Sequence, residues 1–290
     1  MIVVTGATGQ LGRLVIDELL KTTEVKNIIA AVRTSAKANG LADRGVQVRE
    51  ADYSRPATLA SAFEGAFKLL LISGNDLGKR VEQHRAVIDA AKVAGIRFVA
   101  YTSILHCDTS PLLLAEEHLA TERYLQSSGL NYCLLRNGWY YENQTAAIPQ
   151  AIKNGAFIGA SGDGRFAAAS RSDYAAAAAA VLTGEGHENS VLELGGDQPY
   201  TRAELAAKVS KQTGEVVQYN NLSETEYQAV LSKFLPPILA ESIADAEAYA
   251  ADGALDDNSR TLSSLLGRPT ATLAEAVTYA LRTPPATHQA

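Results

Sequence analysis

Four strand-forming residues run straight into three glycines set three apart, and no other feature of the chain restricts its fold as much. Ile2-Val3-Val4-Thr5 leads into Gly6-Ala7-Thr8-Gly9-Gln10-Leu11-Gly12, after which Leu14, Val15, Leu19 and Leu20 carry the apolar spacing of a helix. Strand, tight glycine turn and helix in that order make the opening βα unit of a parallel sheet. Such a turn presents bare backbone on one face, where a diphosphate can lie close to the amides at a helix N-terminus. Gly6, Ala7, Thr8, Gly9, Gln10 and Leu11 are therefore the candidate phosphate-binding stretch, with Gln10 and Leu11 as amide donors. A plain strand-to-helix loop is the bland alternative.

The pattern continues in kind. Short β-branched or Leu-rich runs alternate with helical ones, predicting strands at Ile2–Thr5, Asn27–Val32, Val46–Glu50, Lys68–Ser73, Arg97–Thr102 and Asn131–Arg136. Helices on both faces would make this an α/β fold, a Rossmann-type doubly wound parallel sheet with a smaller C-terminal substrate-binding lobe. The nucleotide domain is expected over 1–136, completed by roughly 173–195, and the smaller lobe over 137–172 and 196–290. Gly155, Gly159, Gly162 and Gly164 mark a looped region before a helix near Asp173, for which Ser172 or Asp173 would serve as N-cap. The run Ala175–Ala180 reads as a buried helix, because alanine favours helix and permits close packing. Further on, Val191–Leu194 and Val216–Tyr219 read as strands, Thr201–Thr213 as a capped helix, and Glu224–Leu266 as mostly helical.

Bulk properties exclude several classes. Apolar residues make up 47% and charged residues 20% of the 290, the balance of a globular chain. A net charge of −6 argues against nucleic acid, whose backbone demands a concentrated basic surface. Apolar runs such as Leu69–Ile72 fall far short of the roughly 20 residues needed to cross a bilayer. The first residues lack the basic segment of a secretory signal. Cys107 and Cys133 form neither a CxxC pair nor a disulfide framework, which fits a reducing cytoplasm. His84, His118, His187 and His288 have no metal-ligand spacing, so no metal is expected.

The second strand should end beside the adenosine ribose. An NAD site would place a carboxylate there to meet the 2′-hydroxyl. This chain has Arg33, whose guanidinium matches a 2′-phosphate by paired hydrogen bonds, so NADPH is expected over NADH. Lys37 is a weaker second contact. Asp52, after the third strand, could meet the adenine amino group. Ser73, Gly74 and Asn75 close the fourth strand at the edge where ligands bind in open α/β sheets. Gly74–Arg80 superficially suggests a P-loop, but its spacing is one residue short and it lacks the Ser or Thr.

Short-chain dehydrogenases transfer protons through a Tyr-x-x-x-Lys pair. None of the ten lysines here has a tyrosine four positions before it, and His118 and Glu122 stand where that pair would be. Alcohol oxidation needs such a base, whereas an electron-poor quinone can take hydride first and protons afterwards. The protein then supplies mainly binding and orientation. Asn137 is the candidate for holding a carboxamide or an acceptor carbonyl, and Gly138 allows close backbone approach. Trp139 or Tyr140 could stack on a ring, unless Trp139 and Tyr141 belong to an aromatic core. His106, in the loop after the fifth strand, is a candidate proton donor. Ser103 sits at the position of the dehydrogenase serine.

Gly6–Gly12, Arg33, Ala51-Asp52-Tyr53, Tyr101-Thr102-Ser103, Leu135–Tyr140 and Ser172-Asp173-Tyr174 together resemble the NmrA-like atypical short-chain dehydrogenases over essentially the whole chain. Within them the chain is most similar to the bacterial NAD(P)H:quinone oxidoreductases of type 2, and His106, Asn137–Tyr140 and Gly159–Gly164 agree with that subgroup. The resemblance implies NADPH as cofactor, no flavin, and two-electron reduction of a small quinone; a monomer or homodimer is expected. It also implies a cofactor site made of Gly6–Leu11, Arg33, Ser73, Gly74 and Asn75, of Asn137, Gly138, Trp139, Tyr140, Tyr141 and Glu142, and of the turn Ala169, Ser170, Arg171, Ser172, Asp173 and Tyr174. Some relatives carry Lys where this chain has Arg123. A catalytically silent, redox-sensing NADP(H)-binding regulator and a reductase of dyes or imines are the alternatives within the same resemblance.

Overall fold

The structure, a computed structural model, describes residues 1–283. His288 and the last residues of the expected lobe lie outside them. The chain divides into two compact units. The first holds Met1–Asp108, Ala115–Asn137 and Arg171–Glu193, and the second holds Thr109–Leu114, Gly138–Ser170 and the chain from Leu194 onward.

The first unit is built on a seven-stranded sheet. Its strands are β1 (Ile2–Thr5), β2 (Ile28–Val32), β3 (Gln47–Glu50), β4 (Lys68–Leu71), β5 (Phe98–Ile104), β6 (Asn131–Asn137) and, after a short β7 (Ala156–Gly159) in the other unit, β8 (Ser190–Leu194). Their order is β3-β2-β1-β4-β5-β6-β8, and the pairings from β3 through β6 are parallel. The Rossmann-like doubly wound fold read from the alternation is thus present. The order reverses between β1 and β4, which is where such sheets leave room for a ligand beyond their carboxyl ends. Helices α1 (Gln10–Leu19), α2 (Asn39–Ala42), α3 (Ala57–Phe63), α4 (Arg80–Val93) and α5 (Leu113–Ser127) connect the first six strands.

One face buries Val3, Ile29, Leu69, Leu71 and Val99 against Leu59 and Phe63 of α3, Val87 and Ile88 of α4, and Leu125 of α5. On α1, Val15, Ile16 and Leu19 are fully buried. The alanine run lies in the helix α8 (Arg171–Thr183), where Ala175, Ala177, Ala178 and Ala179 are buried. Helices α6 (Tyr141–Thr145) and α7 (Ile148–Asn154) precede α8 in the chain. Because α8 starts at Arg171, its N-cap position falls on Ser170, and Ser172 and Asp173 lie inside its first turn. Asp173 there faces the positive end of the helix dipole.

In the second unit β7 pairs in parallel with β9 (Gln218–Asn221), Ala156 opposite Gln218 and Gly159 opposite Asn221. The region read as loop therefore contains a strand, and the strand read at Val216–Tyr219 runs two residues later. Helices α9 (Arg202–Thr213), α10 (Glu224–Leu231), α11 (Pro237–Ala251), α12 (Thr261–Leu266) and α13 (Leu273–Arg282) complete this unit. Three of them start with a capping box, Thr201 with Glu204, Ser223 with Glu226, and Thr272 with Glu275. Among the described residues no helix is long and apolar enough to cross a membrane.

Candidate functional site

The glycine turn has the form its residues demand. Gly6 takes φ +58°, a conformation that costs glycine little, and its carbonyl accepts the Gly9 amide at 2.9 Å. A Cβ on Gly12 would sit 2.4 Å from the Gly6 carbonyl oxygen and 2.7 Å from the Ala7 Cα, so only glycine lets α1 approach the end of β1 this closely. Gly9 is the N-cap of α1, and no side chain caps the helix. The turn is a backbone cradle at a helix N-terminus, which fits a diphosphate.

Arg33 follows β2 directly, exposed and without a hydrogen bond or ion pair among the described residues. Its charge reaches Asp52. Burial would raise that carboxyl, but the Ser54 amide, Arg55 and then Arg33 outweigh it and hold Asp52 below the ordinary carboxylate range. Asp52 accepts within its own turn from the Ser54 amide at 3.0 Å and from Arg55 at 3.1 Å. Arg13 is a neighbour that sequence reasoning passed over. Its Nε donates to the Thr8 carbonyl at 2.9 Å and its guanidinium reaches the Lys37 carbonyl at 3.5 Å, tying the phosphate turn to the segment carrying Arg33.

Toward the other side of the sheet, β4 ends into Ser73-Gly74-Asn75, β5 into His106 and β6 on Asn137. In the first unit these residues, with the glycine turn and Arg33, lie at the carboxyl ends of five adjacent strands. Asn137 is buried and its Oδ1 has no hydrogen-bond partner among the described residues. A buried acceptor left unmatched is costly unless a ligand or water donates to it.

His106 is held in the left-handed region at φ +54°, uncommon for a residue with a Cβ. Its amide donates to Glu193 at 2.9 Å, and its Nδ1 lies 3.8 Å from the same carboxylate. Glu193 in turn accepts from Arg136 at 2.8 Å, and Arg136 also bonds both oxygens of Glu122 at 3.0 and 2.7 Å and Asp108 at 2.8 Å. Ser103 donates to Glu122 at 2.5 Å. Glu193 was invisible to local motifs because β8 brings it from far along the chain.

The positions of a Tyr-Lys pair are thus closed. His118 is 3% exposed, and burial, then the Arg80 charge, hold its imidazole well below its ordinary pKa. Glu122 is 2% exposed and locked to Arg136. Neither side chain is exposed to a substrate. No group of His, Cys, Asp and Glu among the described residues could hold a metal.

In the second unit the strip Gly138–Glu142 runs beside Ala167–Ser170. The Ala169 amide donates to the Trp139 carbonyl at 3.1 Å and the Tyr141 amide to the Ala169 carbonyl at 3.0 Å. Trp139 and Tyr140 are partly exposed. Tyr141 is buried and stacks on Tyr200 at 5.6 Å, so its ring belongs to the core of this unit. Arg171, Ser172, Asp173 and Tyr174 lie in the first turn of α8 in the first unit, with Asp173 and Tyr174 buried.

An NAD(P)H-binding family model matches residues 6–185, the span that carries this cradle and the strand ends around it. The chain belongs to the NAD(P)H-binding family. It is 54% identical over 280 residues to quinone oxidoreductase 2 of Escherichia coli strain K12, covering 96% of this chain and 98% of that protein. A solved structure of an NADPH-dependent quinone oxidoreductase from Escherichia coli, complexed with NADPH, superposes with a TM-score of 0.94 at 54% identity, covering 97% of this chain and all of the other. The triphenylmethane reductase of Citrobacter sp., solved with NADP(H), gives a TM-score of 0.92 at 38% identity, covering 97% of this chain and 100% of its own.

Proposed function

We propose that this protein transfers hydride from NADPH to a small quinone, two electrons at a time and without a flavin. The observation that carries the proposal is the burial of His118 and Glu122, which leaves no side chain at the Tyr-Lys positions able to act as a base. An alcohol would need that base, and a quinone does not. The 54% identity to a quinone oxidoreductase along nearly the whole length supports the same acceptor.

When bound, NADPH supplies the hydride at nicotinamide C4, and the balance is quinone + NADPH + H⁺ giving hydroquinone + NADP⁺. The chain's part is to hold and orient. The Gly6–Leu11 turn receives the diphosphate, Arg33 pairs with the 2′-phosphate, and Ser73–Asn75 line the cofactor. The unmatched Oδ1 of Asn137 accepts from the carboxamide nitrogen. His106, partly exposed and beside Glu193, returns the proton that the reduced quinone requires. Gly138–Glu142 and Ala169–Tyr174 complete the cofactor site, largely through backbone. The second unit is the acceptor-binding lobe, and the protein works in the cytoplasm as a monomer or homodimer.

Steady-state assays with NADPH and a series of simple quinones test this. Saturable NADPH oxidation matched by hydroquinone formation is expected, and absence of turnover with every quinone overturns it. The likeness to triphenylmethane reductase favours dye reduction as a second reading. A higher kcat/KM for cationic dyes than for quinones would establish that activity instead.

A further inference from the structure

His84 lies on α4, is fully buried, and takes no part in the chemistry above. It is nevertheless bonded to the loop that follows β4. The Gly74 amide donates to His84 Nε2 at 3.0 Å, while the Gly74 carbonyl accepts from Arg80 Nε at 2.6 Å. Both polar groups of that residue are therefore held by side chains from the same helix. An imidazole nitrogen that accepts cannot carry the proton, so the proton is on Nδ1, which faces Thr121 Oγ1 at 2.9 Å. Thr121 in turn donates to the Glu117 carbonyl at 2.8 Å. Donors and acceptors run in one direction from Gly74 through His84 and Thr121 to the backbone of α5, and only one neutral tautomer of His84 closes the chain. Burial, and then the Arg80 charge, lower its pKa to about 3, so the neutral form persists.

The loop stem is anchored in the same way. The Ile72 amide donates to Thr5 Oγ1 at 3.0 Å and the Ser73 amide to Thr102 Oγ1 at 2.9 Å. A Cβ on Gly74 would meet Gln83 Oε1 at 3.1 Å, so the glycine lets α4 sit against the loop. With its amide given to His84, Gly74 has no N–H left to offer a ligand. Its neighbours Ser73 and Asn75 remain to do so.

We infer that His84 is a positioning residue for the nucleotide site, a neutral acceptor that fixes the Gly74 peptide so that Ser73 and Asn75 present one constant face to NADPH. The inference rests on NADPH being the ligand of this edge of the sheet, and its test separates the two. Without nucleotide, ¹⁵N NMR should find His84 with Nε2 unprotonated and the Gly74 amide protected from hydrogen exchange. In His84→Phe, which keeps a ring but has no acceptor, Gly74 protection should disappear and the NADPH Kd should rise on the order of tenfold. His84→Gln, whose side-chain oxygen can reach the same amide, should restore both to within about twofold, with kcat at saturating NADPH changed little in either variant. A protonated Nε2 in the wild-type protein, or an unprotected Gly74 amide, overturns the inference even if His84→Phe fails to fold. So does equal loss of affinity in the Phe and Gln variants, which would indicate packing alone. Failure of the wild-type protein to bind NADPH removes the proposed function instead, while the exchange measurement still reads the brace.

Discussion

Replacing Arg33 with alanine leaves the glycine cradle intact and removes only the cation at the tip of β2, so the cofactor's two forms should respond differently. Losing charge-assisted bonds to a phosphate costs on the order of 1.5–3 kcal/mol, or about 10- to 150-fold. Arg33→Ala should raise the NADPH KM by that factor and leave the NADH KM within about twofold; unaltered NADPH kinetics would refute the assignment. Gly12→Ala works on the cradle itself. Its methyl group would overlap the Gly6 carbonyl, so the turn or α1 must shift, at about 1–3 kcal/mol. Calorimetry should show weakened binding of both NADPH and NADH, together with a lower Tm. Gly12 and the place of Arg33 at the tip of β2 were legible in the sequence because strand, turn and charge are written locally. Arg13, His84 and Glu193 were not. Their roles come from partners at Lys37, Gly74 and Arg136, which only the folded sheet brings near.

At the scale of elements, legibility followed the locality of the forces. The strand β1 lies where its apolar run ends at a glycine, and α9, read as a capped helix, starts at a capping box written within four consecutive residues; the boxes opening α10 and α13 are as local, although neither helix start was read from the sequence. By contrast, β7 is four residues ending in glycine, and what makes it a strand is pairing with β9 some sixty positions on. Close approach matters there too, since a Cβ on Gly159 would meet Glu247 Oε2 at 2.8 Å. Glu247, on α11, is buried and ion-paired with Arg202 at the start of α9, whose guanidinium lies over the Phe166 ring at 5.1 Å. Taking away one partner strands a buried charge, at about 3–5 kcal/mol, whereas replacing both with apolar groups is often close to neutral. Glu247→Leu should therefore lower the urea unfolding free energy by that amount, and Arg202→Met with Glu247→Leu should recover most of it. A double variant no more stable than the single one would show that the pair is not an isolated unit.

For the whole molecule, two buried neutral imidazoles make stability depend on pH. His84 and His118 are both held well below the ordinary imidazole value, first by burial and then by the Arg80 charge, His84 at about 3. Unfolded, each titrates near 6.5. As pH falls below about 6.5 the unfolded chain takes up protons that the folded protein refuses, so stability is full above that pH and declines below it. One histidine contributes a slope of about 1.4 kcal/mol per pH unit, and the pair about 2–3 kcal/mol between pH 6 and 5. Asp52, Glu226 and Glu275, all lowered by local hydrogen bonds, add the same sign of dependence only nearer their ordinary range around pH 4. Urea unfolding at pH 7, 6 and 5 should show the decline, and His84→Gln should reduce its slope by about half because glutamine does not titrate. A profile flat between pH 7 and 5 would mean that protonated His84 and protonated His118 are both tolerated inside. The Gly74 brace and the closed Tyr-Lys positions would then both lose their physical basis, since each requires an imidazole that stays neutral.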